Sequence, residues 1–266
     1  MLRRWFCATP AGRSRHAVPA LAVAMILAVA AMASAPAAAA KPREAKSVAR
    51  GRAWLAKAAE LAGGRRAWGS IHALELESAD QVTTQGKSLK MITSVSWRLP
   101  DHLLSVQRLP FGEMKVGFDG SVGWSALGPQ VQEMPAIGTD VGVEWQRSMF
   151  HLFGHPDEVT LRAADTTRTI DGVAYSFGFA KTATGQEFTL YFGPDGSLAR
   201  SEYDGHGPNG PAHQTEIYSD WRAVGGIRWP YQRQMLMDGQ PYLESSLNSI
   251  TLDPALDDSV FKKPGS

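Results

Sequence analysis

The sequence predicts a mainly β (α+β) fold in which a curled antiparallel sheet, or incomplete β-barrel, has helices covering its concave face. Three observations indicate this fold. Apolar and polar residues alternate with a period of two along many segments. Dipeptides typical of tight hairpins, such as Asp119-Gly120 and Asp171-Gly172, separate these segments. Only two segments have apolar residues at helical spacing.

Residues 1–40 have the composition of an export signal. The first 16 residues include four arginines and no acidic residue, and residues 17–40 contain no charged residue. This stretch ends in Ala38-Ala39-Ala40, small residues of the kind found at a signal-peptidase site. We therefore expect a signal peptide over 1–40, cleaved near Ala40, and one mature domain over 41–266 in the periplasm. An uncleaved anchor stays open as the alternative, because the stretch is long enough to span a bilayer.

The composition excludes several classes of protein. The chain has 27 Lys and Arg against 26 Asp and Glu, and removal of residues 1–40 leaves 23 basic and 26 acidic residues. This balance lacks the basic excess with which nucleic-acid-binding proteins displace counterions from phosphates. The one cysteine, Cys7, lies within the expected signal peptide, so the mature chain has no thiol for disulfides, cysteine catalysis or Cys-type zinc sites. The sequence after residue 40 contains no apolar run of membrane-spanning length.

Two amphipathic helices are predicted. The first runs from about Lys46 to Ala62, and the Gly63-Gly64 pair that follows provides the positive φ of a helix end. The second runs from about Thr139 to Phe153 and ends before His155-Pro156. Each has one apolar face, which needs a surface to cover it.

About ten strands provide that surface. The clearest alternating segments are Leu74–Glu77, Ser88–Trp97, Glu113–Phe118, Val173–Phe179 and Phe188–Phe192. Weaker ones follow at Thr215–Ser219, Tyr231–Met237 and Tyr242–Leu252. The sequence has no βαβ rhythm and no glycine-rich phosphate loop, which disfavours nucleotide-cofactor folds.

Two helices are too few to fill the concave side of so wide a sheet, and we expect an apolar cavity between sheet and helices. Methionine and large aromatic side chains adapt to irregular apolar ligands. The predicted ligand-contacting residues are Met91, Val95, Trp97, Met114, Val116, Phe118, Trp145, Met149, Phe177, Phe188, Leu190 and Met235. The alternative is that these residues are ordinary core.

Five segments resemble a known family. They are Ser96–Pro100, Phe118–Trp124, Leu190–Gly196, Tyr218–Pro230 and Phe261–Pro264. In this order they look like the LolA/LolB-like superfamily of periplasmic proteins, the outer-membrane lipoprotein carriers. The resemblance implies a half-barrel of antiparallel strands with a helical lid over an apolar cavity that receives acyl chains. Its motifs are turn and packing residues, so they characterise the fold rather than the ligand.

These observations favour a periplasmic, non-enzymatic carrier or binding protein for a lipid, an acyl chain or a lipoprotein. The expected partners are a lipid or an acylated protein, with inner- or outer-membrane components as further candidates. We expect no nucleic acid, cofactor or metal, no catalytic residue, and no transmembrane span in the mature chain.

Two alternatives stay open. The same fold can serve as an envelope sensor or interaction module that binds a peptide or protein partner. A metal-dependent hydrolase is suggested by His151 and His155, which are four residues apart at the end of the second helix. Leu152 occupies the position where an H-E-x-x-H motif has its glutamate, which disfavours the hydrolase. A second group, Asp204, His206 and His213, is expected in a mobile polar loop.

Overall fold

Thirteen strands form one antiparallel sheet. The computed structural model describes residues 42–208 and 210–265, and the predicted signal peptide lies outside them. The strands are β1 (Ala73–Thr84), β2 (Lys87–Arg98), β3 (His102–Leu109), β4 (Gly112–Asp119), β5 (Gly123–Leu127), β6 (Gln130–Glu133), β7 (Val159–Ile170), β8 (Val173–Thr182), β9 (Glu187–Phe192), β10 (Leu198–Gly207), β11 (Gly210–Val224), β12 (Ile227–Met237) and β13 (Gln240–Leu252). All neighbouring strands pair antiparallel. The prediction of a mainly β, antiparallel fold is confirmed.

The order of the strands determines where the chain must cross the sheet. It is β6-β5-β4-β3-β2-β1-β13-β12-β11-β10-β9-β8-β7. Only β1 and β13 are neighbours that do not follow one another in the chain, and their register places Leu74 opposite Leu252. β6 and β7 are the two edges, so the sheet is not closed into a barrel. The segment between β6 and β7 therefore runs from one edge to the other.

Four helices accompany the sheet in the described part of the chain: α1 (Pro42–Leu61), α2 (Arg65–Gly69), α3 (Ala136–Arg147) and α4 (Met149–Gly154). One-turn 3₁₀ helices follow at Pro156–Glu158 and Asp258–Val260. None of the helices among the described residues is long and apolar enough to cross a membrane.

The helix α3 shows how strongly the sheet curls. Near its start, a Cβ atom on Gly138 would lie 2.9 Å from the Phe118 ring on β4, and near its end Arg147 stacks on Tyr203 of β10. These two positions are nine residues apart, about 14 Å along a helix axis. Seven strand spacings separate β4 from β10, about 34 Å along a sheet. The sheet therefore bends around α3, as the curled-sheet prediction requires.

The second predicted helix is two helices in the structure. Ser148 has an extended backbone, with φ −64° and ψ 152°, and separates α3 from α4. Its hydroxyl accepts a hydrogen bond from the backbone N–H of His151 at 3.2 Å and so caps α4. α3 begins at Ala136, three residues before the predicted start at Thr139, which lies inside the helix. Apolar spacing continues across Ser148, which is why the break was not predicted.

The first helix packs on the far end of the sheet. α1 begins four residues before the predicted Lys46, and Gly63 and Gly64 end it at φ 115° and 91°, as the sequence predicts. Gly51 contacts the backbone of β7 directly, since a Cβ atom there would lie 2.1 Å from the Leu161 carbonyl oxygen. The helix and the strand are thus in backbone contact at this point.

An aromatic cluster fills the concave side next to α1, α2 and α4. Trp68 of α2 lies at its centre, with ring centroids 5.3 Å from Phe150, 5.2 Å from Phe153 and 5.8 Å from Trp229. The indole N–H of Trp68 donates to the Ala62 carbonyl at 3.0 Å, so its one polar group is satisfied. This end of the concave face is a filled core.

The C-terminal segment packs on the opposite, convex face. The Trp124 indole N–H donates to the Phe261 carbonyl at 2.8 Å. The Trp124 ring covers Gly117, where a Cβ atom would lie 2.3 Å from it. Gly117 lies between Val116 and Phe118, which face the concave side, so this contact lies on the other side of β4.

Two glycine substitutions should have opposite effects on stability. Gly51→Ala places a methyl group against the Leu161 carbonyl, and we expect the free energy of unfolding to fall by about 1–3 kcal/mol. Gly142→Ala on α3 meets no atom within 4 Å and should raise it by about 0.5–1 kcal/mol, because alanine is the better helix former. Urea titration measures both values. A neutral or stabilising Gly51→Ala would contradict the close packing of α1 on β7.

Candidate functional site

A cavity of about 300 Å³ lies between the concave face of the sheet and the helices α3 and α4. Strands β1, β2, β3 and β10 to β13 form its floor, and the end of α3 with the start of α4 forms its roof. The roof is present because the connection from β6 to β7 crosses the concave face at this point. Its apolar wall consists of Leu74, Leu76, Val95, Trp97, Leu103, Met149, Phe150, Trp229, Pro230 and Leu247.

Three of the twelve predicted ligand-contacting residues line this cavity: Val95, Trp97 and Met149. Met91 and Met235 share the concave face with them, since they pair with Asp80 and Glu216, but they lie outside the cavity.

The other predicted residues lie elsewhere. Trp145 of α3 packs edge-on against Trp97, with centroids 6.4 Å apart. Met114, Val116 and Phe118 lie on β4, two strands away from β2. Phe188 and Leu190 are part of the buried core.

Phe177 faces the other side of the sheet. It pairs with Tyr191 and stacks on that ring at 5.6 Å. Leu190, the neighbour of Tyr191 on the same strand, points into the core. Consecutive residues of a strand face opposite sides, so the side chain of Phe177 lies on the convex face.

A band of polar side chains crosses the floor of the cavity, and sequence analysis missed it. This polar belt consists of Ser105 (β3), Thr93 (β2), Ser78 and Asp80 (β1), Ser245 (β13), Arg233 (β12), Glu216 and Tyr218 (β11), and Ser201 and Tyr203 (β10). The one sign of the belt in the sequence is a polar residue at a strand position where the alternation calls for an apolar one. Thr93, between Met91 and Val95 on the same face of the strand, is an example. Because of the polar belt, the cavity wall is partly polar and partly apolar, whereas the sequence predicts an apolar cavity.

Glu216 is the centre of the hydrogen bonding in the belt. Its carboxylate accepts from the Tyr203 hydroxyl at 2.7 Å and from the Tyr218 hydroxyl at 3.0 Å. The Arg233 guanidinium lies 3.8 Å away. Burial and the neighbouring Glu216 raise the pKa of both tyrosines above the usual value. The tyrosines are therefore neutral donors that stabilise the Glu216 carboxylate.

The C-terminal end of α3 adds a second ion pair, Glu144 with Arg147, on the roof side of the cavity. The Arg147 guanidinium lies 3.7 Å from the centroid of the Tyr203 ring and 3.6 Å from the Glu144 carboxylate. Loss of hydration and the like charge of Glu216 raise the pKa of Glu144 above its usual value. Burial lowers the pKa of Arg233, whereas the negative charges of Glu216 and Glu144 raise it. The charges have the larger effect, so the pKa of Arg233 lies above its usual value. The two glutamates and two arginines form one interacting group.

Not every polar atom in the cavity wall has a partner. Asp80 Oδ1, Thr93 Oγ1 and Arg147 Nε are buried atoms that have no hydrogen-bond partner in the described part of the chain, and all three residues line the cavity. Buried polar groups in native proteins are nearly always paired. Unpaired atoms grouped in one cavity indicate a place that accepts a polar group from elsewhere.

The histidines do not form the metal pair that the hydrolase alternative needs. His151 is fully buried, with Nδ1 3.1 Å from the Gln146 carbonyl oxygen and Nε2 3.2 Å from Glu158 Oε2. Both ring nitrogens thus have protein partners that tie α3 to the turn before β7. Within residues 42–208 and 210–265, no cluster of three or more His, Cys, Asp or Glu side chains is placed to hold a metal ion.

The expected mobile loop around His206 and His213 is wrong. Residues 204–207 and 210–213 extend β10 and β11 as a hairpin, with Asp204 opposite His213. The His213 ring nitrogen lies 3.0 Å from Asp204 Oδ1. Glycine and proline in this segment suggested a loop, but the long ladder of β10 and β11 continues through them.

Solved structures of other proteins share this architecture. A DUF1329 family protein from Desulfovibrio piger ATCC 29098 aligns with a TM-score of 0.56 and 13% identity, over 81% of this chain and 97% of that chain. A LolA superfamily protein from Nitrosomonas europaea aligns with a TM-score of 0.51 and 12% identity, over 80% of this chain and 97% of that chain. The chain has a LolA-like fold. No family model matches the sequence, and no curated protein matches it.

The LolA-like fold is the one that the five sequence segments imply, so that resemblance is confirmed at the level of fold. Identities of 12–13% establish the fold alone, because one fold can host many functions. The site therefore has to be interpreted from its own residues.

The raised pKa of Glu144 predicts how stability depends on pH. A carboxyl group whose pKa rises on folding contributes stability below its unfolded pKa and loses it as pH rises through the folded pKa. Stability of the parent protein should therefore fall, relative to Glu144→Gln, as pH rises above 4.5, the ordinary value for this glutamate. Below that pH the two proteins should be equally stable.

Urea titrations at a series of pH values provide the measurement. Glu75→Gln, which removes an exposed carboxylate from the other face of β1, controls for the loss of one charge. A difference between parent and Glu144→Gln that is constant with pH would show that Glu144 titrates normally.

Proposed function

We propose that residues 41–266 act in the periplasm, after removal of residues 1–40, as a non-enzymatic carrier or binding protein for a lipid, an acyl chain or an acylated protein. The observation that supports this proposal is the cavity under α3 and α4, with Val95, Trp97, Leu76 and Leu103 in its apolar wall. The LolA-like fold is consistent with it.

The cavity is large enough for one short chain. A water molecule in the liquid uses about 30 Å³, and a methylene group is of similar size, so a cavity of about 300 Å³ has room for about ten methylenes. Each methylene removed from water contributes about 0.8 kcal/mol, or about 8 kcal/mol for the chain. The costs of association and ordering reduce this figure. Apolar burial alone is thus sufficient for reversible binding.

Longer chains require α3 to move. α3 contacts the sheet through Gly138 on Phe118, Trp145 on Trp97 and Arg147 on Tyr203. Its outer surface is exposed at Thr139, Asp140 and Gly142. In this proposal, α3 is the lid, and its displacement lengthens the cavity toward Met91 and Met235.

The alternative is an interaction module that binds a peptide or protein. It is favoured by the open edge at β6, whose residues 130–133 are all exposed, because an unpaired strand edge can accept a peptide strand. Binding at this edge would not depend on the cavity, so the two functions respond differently to a blocked cavity.

Partly filling the cavity should weaken lipid binding. Val95→Phe places a larger apolar side chain in the wall, and we expect it to weaken binding of a ten-carbon fluorescent acyl probe by about tenfold or more, since 1.4 kcal/mol of lost burial suffices for that. Val131→Phe, at an exposed position on β6, is the matched control and should bind like the parent. Titration followed by fluorescence gives the dissociation constants.

Native mass spectrometry of the exported protein complements the titration by detecting retained lipid. Parent protein that neither retains lipid nor binds the probe would rule out the carrier. A partner that binds Val95→Phe as well as the parent but not Val131→Phe would support the interaction module instead.

A further inference from the structure

The cavity wall contains a carboxylate, that of Asp80, which forms no ion pair with any described residue. Asp80 keeps only 9% of its surface accessible, and its Oδ1 atom has no hydrogen-bond partner within residues 42–208 and 210–265. Thr93 is equally buried, and its Oγ1 atom is also without a partner. A buried charge or hydroxyl without a partner is costly. Two such groups on one wall indicate a site for a ligand that donates hydrogen bonds.

The strand register places these two groups together. Thr93 pairs with Ser78, and Asp80 is two residues further along β1 on the same face. Diagonal neighbours of this kind lie about 7–8 Å apart across an antiparallel pair, so a group placed between the two side chains can contact both. Both belong to the polar belt, and the apolar wall begins next to them, at Leu76 on β1 and Val95 on β2.

The charges in the wall do not balance. Its ionisable acids are Asp80, Glu144 and Glu216, and its bases are Arg147 and Arg233. Glu144 lies against Arg147, and Glu216 lies against Arg233 and two tyrosines. Asp80 is thus the one acid of the wall without a basic partner in the wall, and the wall has three acidic residues against two basic ones.

We propose that the cavity binds an amphiphile with a single primary ammonium group, which Asp80 and Thr93 hold while the apolar chain lies along Leu76 and Val95. The proposal rests on the carrier function and specifies its ligand class. An ammonium group has three donors and one positive charge, so it satisfies both unpaired oxygens and cancels the excess charge. A fatty acid would instead add a second uncompensated negative charge.

The experiment compares four ten-carbon ligands at neutral pH: decylamine, decanol, decanoate and decyltrimethylammonium. Binding is followed through the fluorescence of Trp97 and Trp229, both in the wall. Decylamine should bind about tenfold more tightly than decanol, because a charged hydrogen bond exceeds a neutral one by about 1.4 kcal/mol. Decanoate should bind more weakly than decanol. Decyltrimethylammonium, which has the charge but no N–H donor, should bind more weakly than decylamine.

Variants test the two oxygens directly. Asp80→Asn should remove the preference for decylamine over decanol and leave decanol binding intact, which also verifies that the variant folds. Thr93→Val should reduce the affinity for decylamine and not that for decanol. Glu75→Gln, on the other face of β1, should keep the full preference for decylamine.

The source of the ammonium group is distinguished by a further ligand, dihexanoyl phosphatidylethanolamine. Binding that exceeds that of decylamine and depends on Asp80 identifies a lipid headgroup. Weaker binding of this phosphatidylethanolamine than of decylamine, with both dependent on Asp80, identifies a free amine. Either result supports the ammonium site.

Three results would overturn the ammonium site and leave the carrier function standing. The first is equal binding of decylamine by the parent and Asp80→Asn. The second is tighter binding of decanoate than of decylamine by the parent, and the third is equal binding of decylamine and decanol by the parent. If none of the ligands binds the parent, the carrier function itself fails.

Discussion

The pairing of β1 with β13 is the contact on which the arrangement of the molecule depends. It joins two ladders of consecutive hairpins, β1 to β6 and β7 to β13, into one sheet. The sheet has one apolar face that must be covered, and its edges lie far apart in strand order. The chain that connects β6 to β7 crosses the concave face as α3 and α4. The roof of the cavity is thus a consequence of this single connection, while α1 and α2 cover the rest of the concave face.

The position of the cavity follows from how unevenly the helices cover the sheet. Near α1, α2 and α4, the rings of Trp68, Phe150 and Trp229 fill the concave side. Further along, α3 spans between β4 and β10. Space remains below its C-terminal half, where the floor is the polar belt. A filled core and a hollow therefore lie next to each other on one continuous face.

The polar belt makes this hollow different from an ordinary packing defect. A cavity left by poor packing is lined by apolar atoms, whereas this wall contains a network centred on Glu216 with Arg233, Tyr203 and Tyr218. Buried ionic groups are costly unless they are well paired. Among the described residues, the buried polar atoms of the cavity wall without a hydrogen-bond partner are Asp80 Oδ1, Thr93 Oγ1 and Arg147 Nε. The favourable energy for a chain comes from the apolar wall, while the belt determines which polar group can accompany it.

Much of the fold could be predicted from particular residues. The alternation in Ser88–Trp97 placed Val95 and Trp97 on one face of the strand, and Gly63-Gly64 marked the end of α1. Strands without clean alternation were missed: β3 has apolar residues on both faces, at Leu103 and Leu104, and residues 165–169 of β7 are all polar. Of the twelve predicted site residues, only Val95, Trp97 and Met149 line the cavity.

Phe177 illustrates one reason why other predicted residues lie elsewhere. Alternation identifies the two faces of a strand but does not specify which face is concave, and Phe177 lies on the convex one.

The sequence by itself determined the antiparallel β class, the hairpin turns and the helix end at Gly63, because these depend on neighbours within a few residues. Only the tertiary structure decided that Glu144 and Arg147 of α3 meet Glu216 and Arg233 of the sheet. These residues are up to about ninety positions apart and belong to elements whose local patterns are unrelated. The same holds for the unpaired oxygen of Asp80, since whether a polar atom finds a partner depends on every element packed around it.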